Sequence, residues 1–77
     1  MNFLRNLQVT RLNDDTVAIE QSNRTTDIHY EIQPTDEGTV VMVNMTEFRR
    51  FCDTDDVSLS PTERDNLLMH VEEVARG

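Results

Sequence analysis

The chain has 77 residues, of which 36% are hydrophobic, and a formal net charge of −8 from 15 acidic and 7 basic side chains. This length supports one hydrophobic core, so residues 1–77 are expected to form a single domain. The negative charge repels nucleic-acid phosphates and anionic lipid headgroups, and it attracts cations and basic protein surfaces. Composition therefore argues against direct binding to nucleic acid or membranes.

The first half of the chain is predicted to form four short strands joined by polar turns. The strands are expected at residues 4–12, 16–21, 26–33 and 39–43, with turns at 13–15, 21–25 and 34–38. The third is the clearest, because Thr26, Ile28, Tyr30 and Ile32 alternate with polar residues and place one face in the core. Short strands with tight connections are typical of an antiparallel meander.

The second half is predicted to form two helices. Asn44 can cap a short helix, in which an apolar face is formed by Met45, Phe48, Phe51 and Cys52. The segment Ser60-Pro61-Thr62-Glu63 has the pattern of a capping box with proline at the first helical position, and Gly77 is a stop signal. Between them an apolar stripe is expected from Leu67, Leu68, Val71, Val74 and Ala75.

These elements predict an α+β fold in the order ββββαα, a four-stranded antiparallel meander with two C-terminal helices packed on one face. The other face of the sheet is expected to be solvated. If the strands are ordered in space as in sequence, both outer strands have free edges. An edge or the bare face is then available for formation of a homodimer.

Acidic residues concentrate in two places near the terminal helix. Asp53, Asp55 and Asp56 form the predicted loop between the helices. The outward side of the terminal helix is expected to carry Asp65, Glu72, Glu73, Arg76 and one apolar residue, Met69. We interpret the six acidic residues and Met69 as a partner-binding surface, with Met69 as an apolar anchor inside an acidic rim. The alternatives are a solvated loop and lateral packing of Met69 against the first helix.

No motif for catalysis, metal or cofactor binding is recognised. Asp53, Asp55 and Asp56 resemble the start of a calcium loop, but Ser58 and Arg64 stand where that loop needs glycine and glutamate. Cys52 with His29 or His70 lacks the spacing of a nucleophile and base, so a core role for the thiol is favoured. Arg49 and Arg50, the one basic pair, are expected to pair with Glu47 or Asp53. We expect no enzyme activity and no cofactor.

The sequence therefore favours a small acidic binding protein that occupies a basic surface of a partner protein. In size and charge it is similar to phage- or mobile-element-encoded inhibitors of nucleic-acid-handling machinery, including anti-CRISPR and DNA-mimic proteins, which implies a nucleic-acid-binding partner and no direct nucleic-acid contact. The alternative is an assembly module that forms a homodimer, with acidity serving only solubility. Without an apolar leader or membrane-spanning run, a cytoplasmic location is expected.

Overall fold

The computed structural model describes residues 7–21, 24–54 and 57–77. It contains four strands and two helices, in this order: β1 (Leu7–Asn13), β2 (Thr16–Gln21), β3 (Arg24–Thr35), β4 (Gly38–Val43), α1 (Met45–Cys52) and α2 (Pro61–Arg76). The strands form one antiparallel sheet in the order β1-β2-β3-β4. The predicted ββββαα α+β fold is confirmed. The part of the first predicted strand that lies before Leu7 falls outside the described residues.

Strand β3 is longer than the sequence pattern predicts. It begins at Arg24, where a turn was expected, and it includes Pro34, which was assigned to the following turn. Arg24 pairs in register with Gln21 of β2, and Pro34 pairs with Thr39 of β4. A proline is tolerated at this point because the pairing of β3 with β2 extends only to His29. No β2 residue lies beside Pro34 to accept a hydrogen bond from the N–H that proline lacks.

Both helices lie on the same face of the sheet, and α2 contacts all four strands. The core between them contains the apolar residues of the sheet and of the helix undersides: Leu7, Val17, Ile19, Ile28, Tyr30, Val41, Phe48, Phe51, Cys52, Leu67, Val71 and Ala75. Burial of these side chains supplies most of the driving force for folding. Met45, which was predicted to share the buried face of α1, is 40% exposed because it stands in the first turn of that helix.

The opposite face of the sheet, here called the open face, is mostly exposed, as predicted. Its exception is the first half of β2, where Thr16 and Ala18 are buried even though their side chains point away from the helices. Ala18 pairs with Thr10 on one side and with Asp27 on the other. The short Ala18 side chain is therefore buried by the longer side chains of the two neighbouring strands, although no further layer covers this face.

The two helix starts have the caps that the sequence predicts. Asn44 Oδ1 accepts a hydrogen bond from the Glu47 amide at 3.1 Å. In α2 the Ser60 hydroxyl accepts from the Glu63 amide at 3.2 Å, and the Ser60 amide donates to the Glu63 carboxylate at 3.1 Å. Gly77 ends α2 with φ of 87°, a conformation that favours glycine. Within the described ranges neither helix has the length and apolar character needed to cross a membrane.

Candidate protein-binding surface

The orientation of α2 is fixed by its buried stripe. Leu67, Val71 and Ala75 recur every four residues and are fully buried against the sheet. The capping box at Ser60 fixes where the helix begins, and therefore which residues face inward. The residues on the opposite side of the helix must then face solvent.

The outward side of α2 carries the predicted site residues, and we call this surface the α2 outer face: Asp65, Met69, Glu72 and Glu73. Asp65, Met69 and Glu73 are spaced by four residues, which places them in one row, and all three are exposed. Glu72 is half-buried beside this row. The structure thus brings together four of the seven residues that the sequence pattern singled out.

Met69 is the most exposed of the large hydrophobic side chains described, at 59% of its full accessible surface. A methionine that packed laterally against α1 would be largely buried, so this alternative does not describe its position. Asp65 precedes Met69 by one turn, and Glu72 and Glu73 follow it by one turn. The exposed thioether therefore has a carboxylate within one helical turn on either side along the helix.

The α2 outer face has an excess of negative charge: beside its three carboxylates, Arg76 lies on the same side of the helix, four residues after Glu72 and seven after Met69. Arg11 pairs with Asp14 and Arg64 pairs with Asp53, whereas Asp65, Glu72 and Glu73 form no salt bridge with another residue in the described part of the chain. None of the three carboxylates is three or four residues from another, so they do not face each other along the helix, and with Arg76 they leave this side of α2 with a net charge of −2. A cationic surface that docks here would supply ion-pair partners for these carboxylates.

Asp53 has a structural role that the sequence analysis missed. It caps the C-terminus of α1, and its carboxylate accepts a hydrogen bond from the Arg64 guanidinium at 3.0 Å. The expected pairing of Asp53 with Arg49 or Arg50 is replaced by this contact between α1 and α2. Asp53 therefore ties the two helices together, although its side chain stays 61% exposed.

A signal for the Asp53–Arg64 pair was present in the sequence. An aspartate at the end of a helix and an arginine in the first turns of the next helix each oppose the local helix dipole. Because these two opposite charges stand where consecutive helices meet, an ion pair between them offsets both unfavourable interactions. The other loop carboxylates of the predicted site, Asp55 and Asp56, lie outside the described residues.

The calcium-loop resemblance gains no support from this arrangement. In the described part of the chain, no group of three or more histidine, cysteine, aspartate or glutamate side chains is placed to hold a metal ion. The Asp53 oxygen that such a loop would use is bonded to Arg64. Arg64 also carries a positive charge into the position where a ligand carboxylate would be required.

Cys52 is fully buried within the core cluster that also contains Phe48 and Phe51. Burial raises the pKa of its thiol to about 11; the Arg64 charge lowers the pKa and the Asp53 charge raises it, both by less. At neutral pH the sulfur is therefore a protonated thiol, which is a poor nucleophile. His29 points to the open face of the sheet, so the sheet separates it from Cys52.

A groove of about 290 Å³ between α1 and the start of β3 is a surface that the sequence did not predict. Its charged lining residues are Arg24, Arg50, Asp27 and Glu47. Two positive and two negative side chains sum to zero, so the groove has no net preference for the charge of a ligand. It is therefore a weaker candidate than the α2 outer face.

Comparison with models of protein families, with curated proteins and with solved structures found no match to this chain. The assignment of a function consequently depends on the geometry and charge of the surfaces described above.

Proposed function

We propose that this protein is a non-enzymatic binding protein whose α2 outer face docks on a basic surface of a partner protein. The observation that carries the proposal is Met69, which is 59% exposed in the middle of a helix and is flanked along the helix by the carboxylates of Asp65, Glu72 and Glu73. An apolar side chain exposed to this degree is common on a protein surface when it stands singly. The nearby carboxylates form no salt bridge in the described part of the chain, and this excess of negative charge favours a basic partner surface.

The two chemical components of this surface have separate roles in binding. Met69 is flexible and polarisable, so it fills an irregular apolar pocket and contributes affinity by leaving water. The carboxylates attract a basic surface over several ångströms, raise the association rate and reject acidic competitors. Because exposed charges are screened by salt, the complex is expected to weaken as ionic strength rises.

Basic surfaces are concentrated on proteins that handle nucleic acid, because they must neutralise phosphate charge. A ridge of carboxylates on a helix presents negative charge in place of phosphates. The proposed activity is therefore inhibition of such a protein by occupation of its nucleic-acid site, as in the anti-CRISPR and DNA-mimic classes of phage-encoded inhibitors. The net charge of −8 makes direct binding of this chain to the nucleic acid unfavourable.

The test is affinity capture of a partner from nuclease-treated lysate at low and high salt, with three versions of the tagged protein. One version is the wild type. The second carries Asp65→Lys and Glu73→Lys on the α2 outer face. The third carries Glu20→Lys and Glu37→Lys, which are exposed on β2 and on the β3–β4 turn and change the net charge by the same amount.

The proposal expects the wild type and the third version to retain one basic protein at low salt and to release it at high salt. The second version should not retain it. Titration calorimetry with the purified partner should then show that Met69→Ala lowers the affinity by about tenfold or more, which is 1.4 kcal/mol. Equal loss of binding in the two lysine variants would mean that net charge alone attracts the partner, and the proposal would be wrong.

A further inference from the structure

The two edges of the sheet differ in how they are protected against pairing with another strand. At the β1 edge the register shifts between Arg11 and Asn13, and Arg11 places a charge beside this irregularity. Irregular pairing and charged side chains are devices that prevent edge-to-edge association. Strand β4 has neither, because its sequence GTVVMV has no charged residue or proline and its register with β3 is continuous.

The backbone direction of β4 is fixed by its bonds to β3. The Asn44 amide donates to the His29 carbonyl at 2.9 Å, so the backbone polar groups of Asn44 face β3. Since these groups alternate in direction along a strand, those of Met42 and Val40 also face β3. The amides and carbonyls of Thr39, Val41 and Val43 therefore point to the outer edge, where no strand lies within the described residues.

The side chains of β4 add a second feature to this edge. Val40 and Met42 project from the open face and are 44% and 50% exposed, respectively. Val41 lies between them and is buried on the helix side. At its outer edge the strand thus presents the backbone amides and carbonyls of three residues, Thr39, Val41 and Val43. On the open face it presents two exposed apolar side chains, and both sets are centred on Val41.

We propose that β4 is a pairing edge for a second copy of this chain, in an antiparallel two-fold arrangement centred on Val41. In this register Val41 faces its own copy, and Thr39 faces Val43 of the other chain. All outward amides and carbonyls of these residues are then paired, which makes six hydrogen bonds across the two-fold axis. The result is a continuous eight-stranded sheet with all four helices on one side.

The same register brings the exposed apolar residues of the two copies together. Val40 of each chain lies opposite Met42 of the other, so four exposed apolar side chains form one patch across the axis. Residues 38–43 contain no ionisable side chain, so strand pairing places no like charges directly opposite each other. A second copy satisfies both the backbone and the side chains of this edge, which is why we assign it as the occupant.

This inference does not rest on the proposed function, because β4 and the α2 outer face are different surfaces. Their salt dependence also has opposite signs. Docking of the acidic helix face on a basic partner weakens as salt rises, whereas pairing of two copies that each carry −8 strengthens as their repulsion is screened. A dimer measured at two salt concentrations therefore separates self-association from charge-driven partner binding.

The first experiment is sedimentation equilibrium of the whole chain at low and high salt. Val40→Lys with Met42→Lys should raise the dimer dissociation constant by at least about tenfold. Gln8→Lys with Thr10→Lys is the matched control, because both residues are exposed on the open face of β1 and change the net charge equally. Both variants lower the overall repulsion, so a loss confined to the β4 variant identifies the edge. A dimer that survives in both would overturn the proposal.

The second experiment tests the register and does not depend on weakening the dimer. Opposed residues at a non-hydrogen-bonded position have Cα atoms about 4.5 Å apart, which is within disulfide range. Val40→Cys chains mixed with Met42→Cys chains should cross-link under mild oxidation, and each variant alone should not. Cys52 does not compete because it is buried. Cross-linking of Val40→Cys with itself, or a wild type that stays monomeric at millimolar concentration, would show that the proposed pairing is wrong.

Discussion

The two sides of α2 differ in polarity and in solvent exposure, the two properties that distinguish a surface used for folding from one used for binding. The inner side, with Leu67, Val71 and Ala75, is apolar and fully buried. The α2 outer face combines carboxylates with a methionine that is 59% exposed. Both sides belong to one helix with a single capping box, so they share the same backbone. Substitutions on the inner side should therefore change stability, and substitutions on the outer side should change association.

The largest effect on this comparison is expected from the inner side. Leu67→Ala removes a fully buried side chain at the contact between α2 and the sheet, and such changes cost about 2–5 kcal/mol. A domain of this size has about 3–5 kcal/mol of net stability, so the variant should lose a large part of it. Urea titration followed by helical circular dichroism measures the loss. A decrease below about 1 kcal/mol would mean that α2 does not anchor the core.

The second effect is a dependence of stability on pH, which arises from the buried Cys52 thiol in the core. Burial raises the pKa of the Cys52 thiol from 9.0 to about 11, so the folded state holds this proton more tightly than the unfolded chain. The contribution of the protonated thiol to stability is therefore fully present below pH 9. It is lost as the pH rises toward 11, which lowers the free energy of unfolding by up to about 2–3 kcal/mol. The free energy of unfolding should be measured between pH 7 and 11 in the wild type and in Cys52→Ala. The alanine variant is less stable at neutral pH but should lack this part of the decline, so the two profiles should converge as the pH rises; parallel pH profiles would contradict the assignment.

A smaller effect is expected at the junction between α1 and α2. Asp53→Asn and Arg64→Gln should each lower stability slightly, and a double-mutant cycle should give a coupling free energy of about 0.3–1 kcal/mol, because the pair is partly exposed. Urea titrations at low and high salt supply the four values. Coupling that is absent at low salt would show that the ion pair does not join the helices.

The smallest effect on stability is expected from the α2 outer face itself. Asp65→Lys with Glu73→Lys should change the free energy of unfolding by no more than about 0.5 kcal/mol, since both side chains are exposed and lack ion-pair partners in the described part of the chain. Thermal and urea unfolding provide the measurement, with Glu20→Lys and Glu37→Lys as the control. A loss of several kcal/mol would place these residues in the fold, not in the binding surface.

Much of the fold could be predicted because local signals agreed with tertiary packing. The capping box at Ser60, the stop at Gly77 and the alternation from Thr26 to Ile32 each specify one conformation. The exposed position of Met69 followed from helical spacing once the buried stripe was identified. These features depend on residues close together in sequence, which periodicity and capping rules describe well.

The features that could not be predicted depend on residues far apart in sequence. The burial of Ala18 follows from its neighbours on two other strands, and the start of β3 at Arg24 follows from pairing with Gln21. Helix-dipole rules mark Asp53 and Arg64 as two unfavourable charges, but their contact also depends on the angle at which the two helices meet. The protection of the β1 edge and the lack of it at β4 became visible only when strand order and register were known.

The central claim is that the α2 outer face, and not the net charge, binds the partner. The most direct measurement is the affinity of the purified partner for the wild type, for Asp65→Lys with Glu73→Lys, and for Glu20→Lys with Glu37→Lys, at the same salt concentration. We predict that the outer-face variant loses at least tenfold more affinity than the control, about 1.4 kcal/mol. Equal affinities for the two lysine variants would contradict the account and leave the acidity as a property that serves solubility.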